Sequence, residues 1–445
     1  MSKMKYSGVE WIGDIPNEWN LKRIKYNLLQ PITDGPHETP VFIDNGIPFL
    51  SVDSIQNNKL LLGNRYISIE DAKTYDKKCK PQYGDILMGK AASIGKIAIV
   101  DIKEYFQIWS PLALIRPDND KLFNKFLMYY LESSSGQEYI ENFSTKNTQK
   151  NIAMEDIEKI KIIIPNVLEQ KLISSFLDQK VNELDKVIND LNMQIEILDN
   201  YKSTMIYETV TKGLNKGTEY KKTNTKWIDK IPKNWSIKRF RYLLKEIKVG
   251  PFGSSLSGDD IKTFGDYWVY NQRTVLDNNF SSNDTFIDKE KFNELKNFQV
   301  KTGDLLLTTR GTIGKLAIVP ENCKKGILHP CLIRFTVDEQ LMNPKLLQLI
   351  FNNTSMIQEQ LNCKSNSTTI DVIYSYNLKD IYVPIIPLDE QQEIVKYLDK
   401  KCEQIDKIIE DKQKQIEKIE EYKKSVIYEY VTGKKRVEGA EELYG

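Results

Sequence analysis

Two histidines, His37 and His329, are all that 445 residues provide for imidazole chemistry. A Ser-His-Asp or Cys-His arrangement would have to use one of them, and a histidine-rich metal site cannot be built. His329 lies in Leu328-His-Pro-Cys331, where a partly buried loop histidine is the plainer reading. The five cysteines (Cys79, Cys323, Cys331, Cys363 and Cys402) are odd in number, scattered and without a CxxC pair, which argues against zinc and against a disulfide framework. Gly89-Lys-Ala-Ala-Ser-Ile-Gly95-Lys96 has the outline of a phosphate loop. Its glycines are one residue too far apart, and Ile97 stands where the motif needs Ser or Thr. Gly311-Thr-Ile-Gly314-Lys315 fits worse. An Asn-Pro-Pro-aromatic segment is missing, with Asn343-Pro344-Lys345 only a partial echo, and no acidic cluster with a lysine suggests a nuclease. These residues predict a chain that is not itself an enzyme.

Composition leaves the class open but bounds it. Hydrophobic content of 40% and charged content of 28% suit a globular protein of two or three domains. No apolar run approaches the ~18–20 residues that span a bilayer, and Met1-Ser-Lys-Met-Lys-Tyr lacks a signal-peptide core, so a cytoplasmic protein without membrane contact is expected. The net charge of +1 conceals an asymmetry. Residues 1–160 carry 20 basic and 21 acidic side chains, net −1, whereas residues 221–385 carry 24 and 17, net +7. One lobe is basic, so nucleic-acid binding stays open.

The chain is written twice. Trp11-Ile-Gly-Asp-Ile-Pro16-Asn-Glu-Trp19 returns as Trp227-Ile-Asp-Lys-Ile-Pro232-Lys-Asn-Trp235, and Gly84-Asp85 with Ile94-Gly95-Lys96 returns as Gly303-Asp304 with Ile313-Gly314-Lys315. Repeats of this length are duplicated domains, since solenoid units recur every 20–50 residues. Each copy opens with short apolar runs bounded by Gly and Asp, which read as strands of an α/β (α+β) domain. Each closes in a heptad helix. The first seam runs Leu177, Val181, Leu184, Ile188, Leu191, Ile195, Leu198, and the second Leu398, Cys402, Ile405, Ile409, Lys412, Ile416, Ile419. Lys412 breaks the apolar pattern, either snorkelling or marking register. A seam alone would suit a core helix in a bundle. Two equal seams in one chain, each drawn from a tract up to ~63 Å long at 1.5 Å per residue, favour pairing with each other. Chain direction then makes them antiparallel, with two globular domains in a pseudo-twofold arrangement at either end of a rod.

The boundaries that follow are a first globular domain at 1–164, a helix at 165–213, a linker at 214–220, a second globular domain at 221–386, a helix at 387–435 and a tail at 436–445. The paired tryptophans could be stacking platforms for flipped bases. Their repetition around a proline fits packing at a domain edge better, because a reading surface should differ between copies.

On these segments the chain resembles the specificity subunit of type I restriction–modification enzymes. The likeness covers nearly its whole length. Its carriers are the tryptophan segments, Thr33-Asp-Gly-Pro-His37-Glu-Thr-Pro40 with Gly46-Ile-Pro-Phe-Leu-Ser51, and Gly250-Pro-Phe-Gly-Ser-Ser255. Most specific is the entry to each helix, Ile164-Pro165…Leu168-Glu-Gln170 and Ile386-Pro387-Leu-Asp-Glu390-Gln391. The resemblance implies two target-recognition domains, each reading half of a bipartite, asymmetric duplex DNA site, and two spacer helices that set the gap. It implies partners as well: two modification subunits carrying S-adenosylmethionine and methylating adenine N6, and two restriction subunits using ATP and Mg. This chain would bind no cofactor itself. A rod of ~30–45 Å would put the two heads about one turn of B-DNA (~34 Å) apart. The competing readings are a duplicated coiled-coil scaffold that binds only proteins, a specificity subunit of a methyltransferase without a restriction partner, and a methyltransferase or nuclease fused to its own specificity domain.

Base readout needs paired donors and acceptors on loops that reach past the scaffold. In the first copy the candidates are Thr33, Asp34, Gly35 and His37, then Lys90 and Ser93, and the polar run Lys146, Asn147, Thr148, Gln149 and Lys150. In the second they are Gly250, Phe252, Gly253, Ser254 and Ser255, then Asn271, Gln272 and Arg273, then Thr309 and Arg310, and the run Lys364, Ser365, Asn366 and Thr368. Ordinary turn residues in solvated loops would look the same. The two polar runs are the better candidates because they recur at equivalent places. Lys96 and Lys315 are candidates for phosphate contact, although the glycine before each also suits a simple turn.

Overall fold

The computed structural model describes residues 3–145, 150–215, 217–363 and 373–444. The chain divides into two compact units, Met1–Leu191 with Gln413–Gly445, and Asn192–Lys412. Each unit therefore combines a globular part, the start of one long helix and the end of the other.

In the first unit a four-stranded antiparallel sheet runs in the order Thr33–Asp34, Leu112–Ile115, Ile86–Gly89, Ile97–Ile99. Its neighbour has the order Tyr66–Ile67, Ile47–Leu50, Gln107–Ile108, the last pair parallel. The second unit repeats both. Its four strands run Leu244–Val249, Leu332–Val337, Leu305–Thr308, Leu316–Ile318. Its three run Phe286–Ile287, Tyr267–Tyr270, Gly326–Leu328, again with the last pair parallel. Central strands such as Ile86–Gly89 and Leu305–Thr308 are buried along their whole length, which is why they read as continuous apolar runs rather than alternating ones.

The repeated Gly-Asp pairs are frame. Asp85 Oδ2 accepts the Gln82 amide at 2.7 Å while Arg116 Nε donates to Oδ1 at 2.7 Å. Asp304 Oδ2 likewise accepts the Lys301 amide at 2.7 Å, with Arg334 Nη1 3.2 Å away. Burial pushes the Asp304 carboxyl above its ordinary range in spite of these partners.

The long helices are Val167–Lys212 and Leu388–Val431. Within the first unit Phe176 meets Tyr430 with ring centroids 4.4 Å apart, and Lys423 reaches Asp185 at 2.7 Å. Within the second, Lys202 reaches Asp406 at 2.6 Å and Lys412 donates to Gln194 Oε1 at 2.5 Å. One number rises as the other falls, so the segments pair antiparallel in both units. All fourteen seam positions are buried or half-buried. Lys412 is half-buried and tied to the facing helix, which accounts for its place in an apolar seam.

The helix entries explain the repeated Glu-Gln. Gln170 Nε2 donates to Pro165 O and Lys121 O, both at 3.0 Å, and its Oε1 accepts the Phe123 amide at 2.7 Å. Gln391 does the same with Ile386 O, Leu341 O and the Asn343 amide, at 2.8, 2.8 and 2.7 Å. The preceding glutamates accept the indole N–H of Trp19 (3.0 Å) and Trp235 (2.8 Å), both rings being fully buried. Trp19 and Trp235 are packing residues, whereas Trp11 is exposed beside Tyr139 and Trp227 is half-buried beside Tyr382. Burying such a ring is worth about 4–6 kcal/mol at ~25 cal/mol per Å² over ~150–250 Å². Among the described residues no helix is long and apolar enough to cross a membrane, and no group of His, Cys, Asp and Glu could hold a metal ion.

Candidate nucleic-acid interface

The loops picked out by residue type converge at one place in each unit, and by the same backbone bonds. In the first unit the Lys90 amide donates to Pro111 O at 2.8 Å and Lys90 O accepts the Ile152 amide at 2.9 Å. In the second the Thr309 amide donates to Cys331 O at 3.0 Å and Thr309 O accepts the Ile373 amide at 2.9 Å. Each four-stranded sheet thus delivers one loop that is clasped between the loop before a strand and the segment leading to a short helix.

Gly35 and Gly250 close these clusters. A Cβ on Gly35 would lie 1.9 Å from Ile108 O, and one on Gly250 would lie 2.2 Å from His329 O. Only glycine lets the first loop lie this close to the neighbouring strand. These two residues therefore shape the clusters through backbone.

Asp34 is fully buried and gathers two lysines and a histidine. Lys78 Nζ bonds its Oδ1 and donates to Gly35 O at 2.9 Å, while Lys90 Nζ and His37 Nε2 each lie 3.1 Å from Oδ2. Burial alone would raise the Asp34 carboxyl, but Lys78 and Lys90 outweigh it and hold the group below its ordinary range. Lys90 is buried, whereas Lys78 and His37 keep about half or more of their side chains exposed, at 48% and 69%. The outward side of this group is positive. Ser93 and Lys96 are exposed, and Thr33 is half-buried with its hydroxyl 3.6 Å from the Cys79 thiol. Burial pushes that thiol up to about 11, so it stays protonated.

In the second unit Phe252, Gly253 and Ser254 stand exposed and Ser255 half-buried. Asn271 caps the short helix Gln272–Leu276, accepting the Thr274 amide at 3.1 Å, and Arg273 projects with 79% of its side chain exposed. Asn271, Arg273, Asp277, Asn279 and Asn283 line a polar hollow of about 280 Å³. Thr309 is buried and donates to Cys331 O at 2.8 Å, while Arg310 is exposed. Burial, with Arg310 nearby, pushes His329 below its ordinary value. Lys315 extends over the end of the helix Pro344–Asn353, donating to Asn352 O at 3.0 Å. Gly95 and Gly314 both have φ +78, so the Gly-Lys pairs are built first as turns.

Lys150 is exposed and paired with Glu141. Lys146, Asn147, Thr148, Gln149, Lys364, Ser365, Asn366 and Thr368 lie outside the described residues. Residue types alone missed Lys78 and Ser110. Lys78 comes from the turn after the helix Ile69–Tyr75, 44 residues from Asp34, and Trp109-Ser110 bonds the Pro36 carbonyl through the Ser110 amide at 3.2 Å. Ser51 follows the strand Ile47–Leu50 as Asn271 follows Tyr267–Tyr270, but it is buried and caps the turn Val52–Ser54.

This repeated frame with divergent loops has a match. Residues 41–197 and 232–418 fit the profile described as the type I restriction modification DNA specificity domain. The chain belongs to that family. Its globular parts are target-recognition domains, and the polar loop clusters lie within them. Among related specificity subunits, that of the type I restriction enzyme MjaVIII from Methanocaldococcus jannaschii is 24% identical over 437 residues, 95% of this chain and 94% of the relative. That of EcoKI from Escherichia coli K12 is 21% identical, covering 87% and 83%. A structure solved in work on complex assembly and conformational transition of the type I R-M system covers 94% of this chain and 98% of its own. Its TM-score is 0.67 at 14% identity, a likeness of fold.

Proposed function

We propose that each target-recognition domain reads one half of a bipartite, asymmetric duplex DNA site through its loop cluster, and that the long helices set the unread gap. The observation that carries this reading is the clasp built twice from the same backbone bonds around different side chains. A frame held constant while its loops differ suits two readers with two targets. In the first domain the exposed faces of Lys78, His37 and Ser93 would meet the duplex, with Asp34 holding Lys78 and His37 from beneath. In the second, Phe252–Ser255, Arg273 and Arg310 would do so.

The chain would make no bond itself. Two modification subunits docked on the helices would bring S-adenosylmethionine and methylate adenine N6, and two restriction subunits would add ATP- and Mg-dependent cleavage. Exposed apolar side chains on the first helix, Met193, Ile197 and Tyr201, recur every four residues and offer one stripe for such docking. A mobility-shift titration of the chain with its modification subunits tests the reading. The expected result is a sequence-dependent shift; equal shifts on all duplexes, at every salt concentration, would end it.

A further inference from the structure

A second repeated element lies beside the reading loops. Leu21-Lys22-Arg23-Ile24-Lys25-Tyr26 returns as Ile237-Lys238-Arg239-Phe240-Arg241-Tyr242, apolar–Lys–Arg–apolar–basic–Tyr in both copies. The fold treats the two alike. Lys22-Arg23 and Lys238-Arg239 end strands paired with Lys161–Ile164 and Tyr382–Ile385, and each is followed by a tight 3₁₀ turn. Ile24 and Phe240 are fully buried and anchor that turn, their amides donating to Ile160 O at 2.9 Å and Ile381 O at 2.8 Å. Everything else in the motif after its first residue faces outward: the basic side chains are exposed, and Tyr26 and Tyr242 are 64% and 65% exposed.

The patch is continuous with the reading cluster. Ile152, clasped to Lys90, leads into the short helix Met154–Lys159, which ends at the Ile160 carbonyl that holds Ile24. Ile373, clasped to Thr309, leads through Tyr374 into Ser375–Lys379, and two residues past that helix the Ile381 carbonyl holds Phe240. A helix of five or six residues is ~8–9 Å long at 1.5 Å per residue, about two to three of the ~3.4 Å axial steps between phosphates on one strand, so one duplex can meet both patch and loops.

We propose that the Lys-Arg-X-basic-Tyr turn of each domain is a phosphate-backbone clamp that grips duplex DNA without regard to sequence. A surface that reads bases should differ between the copies, and this one is the same. What both domains meet alike is the charged backbone. Arginines and lysines on a rigid turn offer fixed positive charge, and an exposed tyrosine adds a hydroxyl donor. The second clamp is the stronger. The helix packed behind it carries Tyr376 and Lys379, and Asp380 is shared by Arg239 and Arg241, leaving excess positive charge. Behind the first turn the helix carries Glu155, Asp156 and Glu158 against one lysine, Lys159, which pairs with Asp156.

The proposal rests on the DNA-reading assignment above, and its test separates the two. The assembled complex with modification subunits is titrated onto duplexes with and without the methylated site, over a series of salt concentrations. Lys22→Gln with Lys25→Gln, and Lys238→Gln with Arg241→Gln, should weaken both duplexes by the same factor, about 3- to 10-fold. Each pair should also flatten the slope of log affinity against log salt by about 1–2. The second pair should cost more. An unchanged slope and affinity would overturn the clamp, as would a changed ratio between the two duplexes. Loss of modification subunits on size exclusion would equally overturn it, placing a protein on the patch. If the unmodified complex shows no preference between duplexes, the reading assignment fails, and the salt slope still decides the clamp. Matching thermal melts of variant and parent ensure that folding is not what is measured.

Discussion

Trp19 donates its indole N–H to Glu169, one residue from the buried end of the first domain and the other in the opening turn of the long helix. The same carboxylate accepts Arg436 at 2.7 and 2.9 Å from the C-terminal segment, so one buried glutamate ties the domain, the helix entry and the tail. Glu169→Ala leaves a guanidinium that is only 10% exposed and an indole without this partner, and should lower stability by about 3–5 kcal/mol in denaturant titration. Glu390→Ala should cost less, about 1–2 kcal/mol, because Glu390 is half-buried and its partners are Trp235 and Asn234. Equal losses would mean that Arg436 contributes nothing.

Gly35→Ala and Gly250→Ala place a methyl group against a backbone carbonyl, at 1.9 and 2.2 Å. Each should destabilise its own domain by about 1–3 kcal/mol and distort its own loop cluster. Limited proteolysis should then cut the altered domain faster and the other at the parent rate.

These two positions show what the sequence makes legible and what it does not. The duplication, the seams and the Pro…Glu-Gln entries are visible as spaced identities, because a frame used twice must keep its contacts. The reason for the Glu-Gln pair is not visible, since Trp19 and Glu169 are 150 residues apart. The candidate loops were legible as residue types only. Asp34 is an example: its carboxylate is fully buried beneath Lys78, a contact no local pattern announces. The Lys-Arg-X-basic-Tyr turn escaped for the opposite reason, being short and ordinary in each copy and informative only when the two are laid together.

Protonation of His329 should weaken the second unit. Burial, with Arg310 nearby, holds its folded pKa below the ordinary value of 6.5, so the folded state favours the neutral ring. The contribution is present above pH ~6.5 and is lost as pH falls from there through the folded value. Melting temperature should therefore decline below pH ~6.5, and His329→Asn should flatten that decline. An identical profile in the variant would remove His329 as its source.

Asp34→Asn should release Lys78, Lys90 and His37 from their common carboxylate. Recognition of the first half-site should weaken by about 10-fold or more, on the scale of ~1–3 kcal/mol for one disturbed base contact, while the second half-site is read as before. Competition between duplexes altered in one half or the other measures this.

Mapping of methylated adenines in cells tests the central claim most directly. Cells carrying the modification subunits with this chain should show a two-part motif that vanishes when the chain is removed. Replacing residues 250–255 and 271–273 with the loops of another specificity subunit should rewrite one half of the motif, leaving the other half and the gap unchanged. A motif that survives without the chain, or a loop exchange that alters both halves together, would contradict the account.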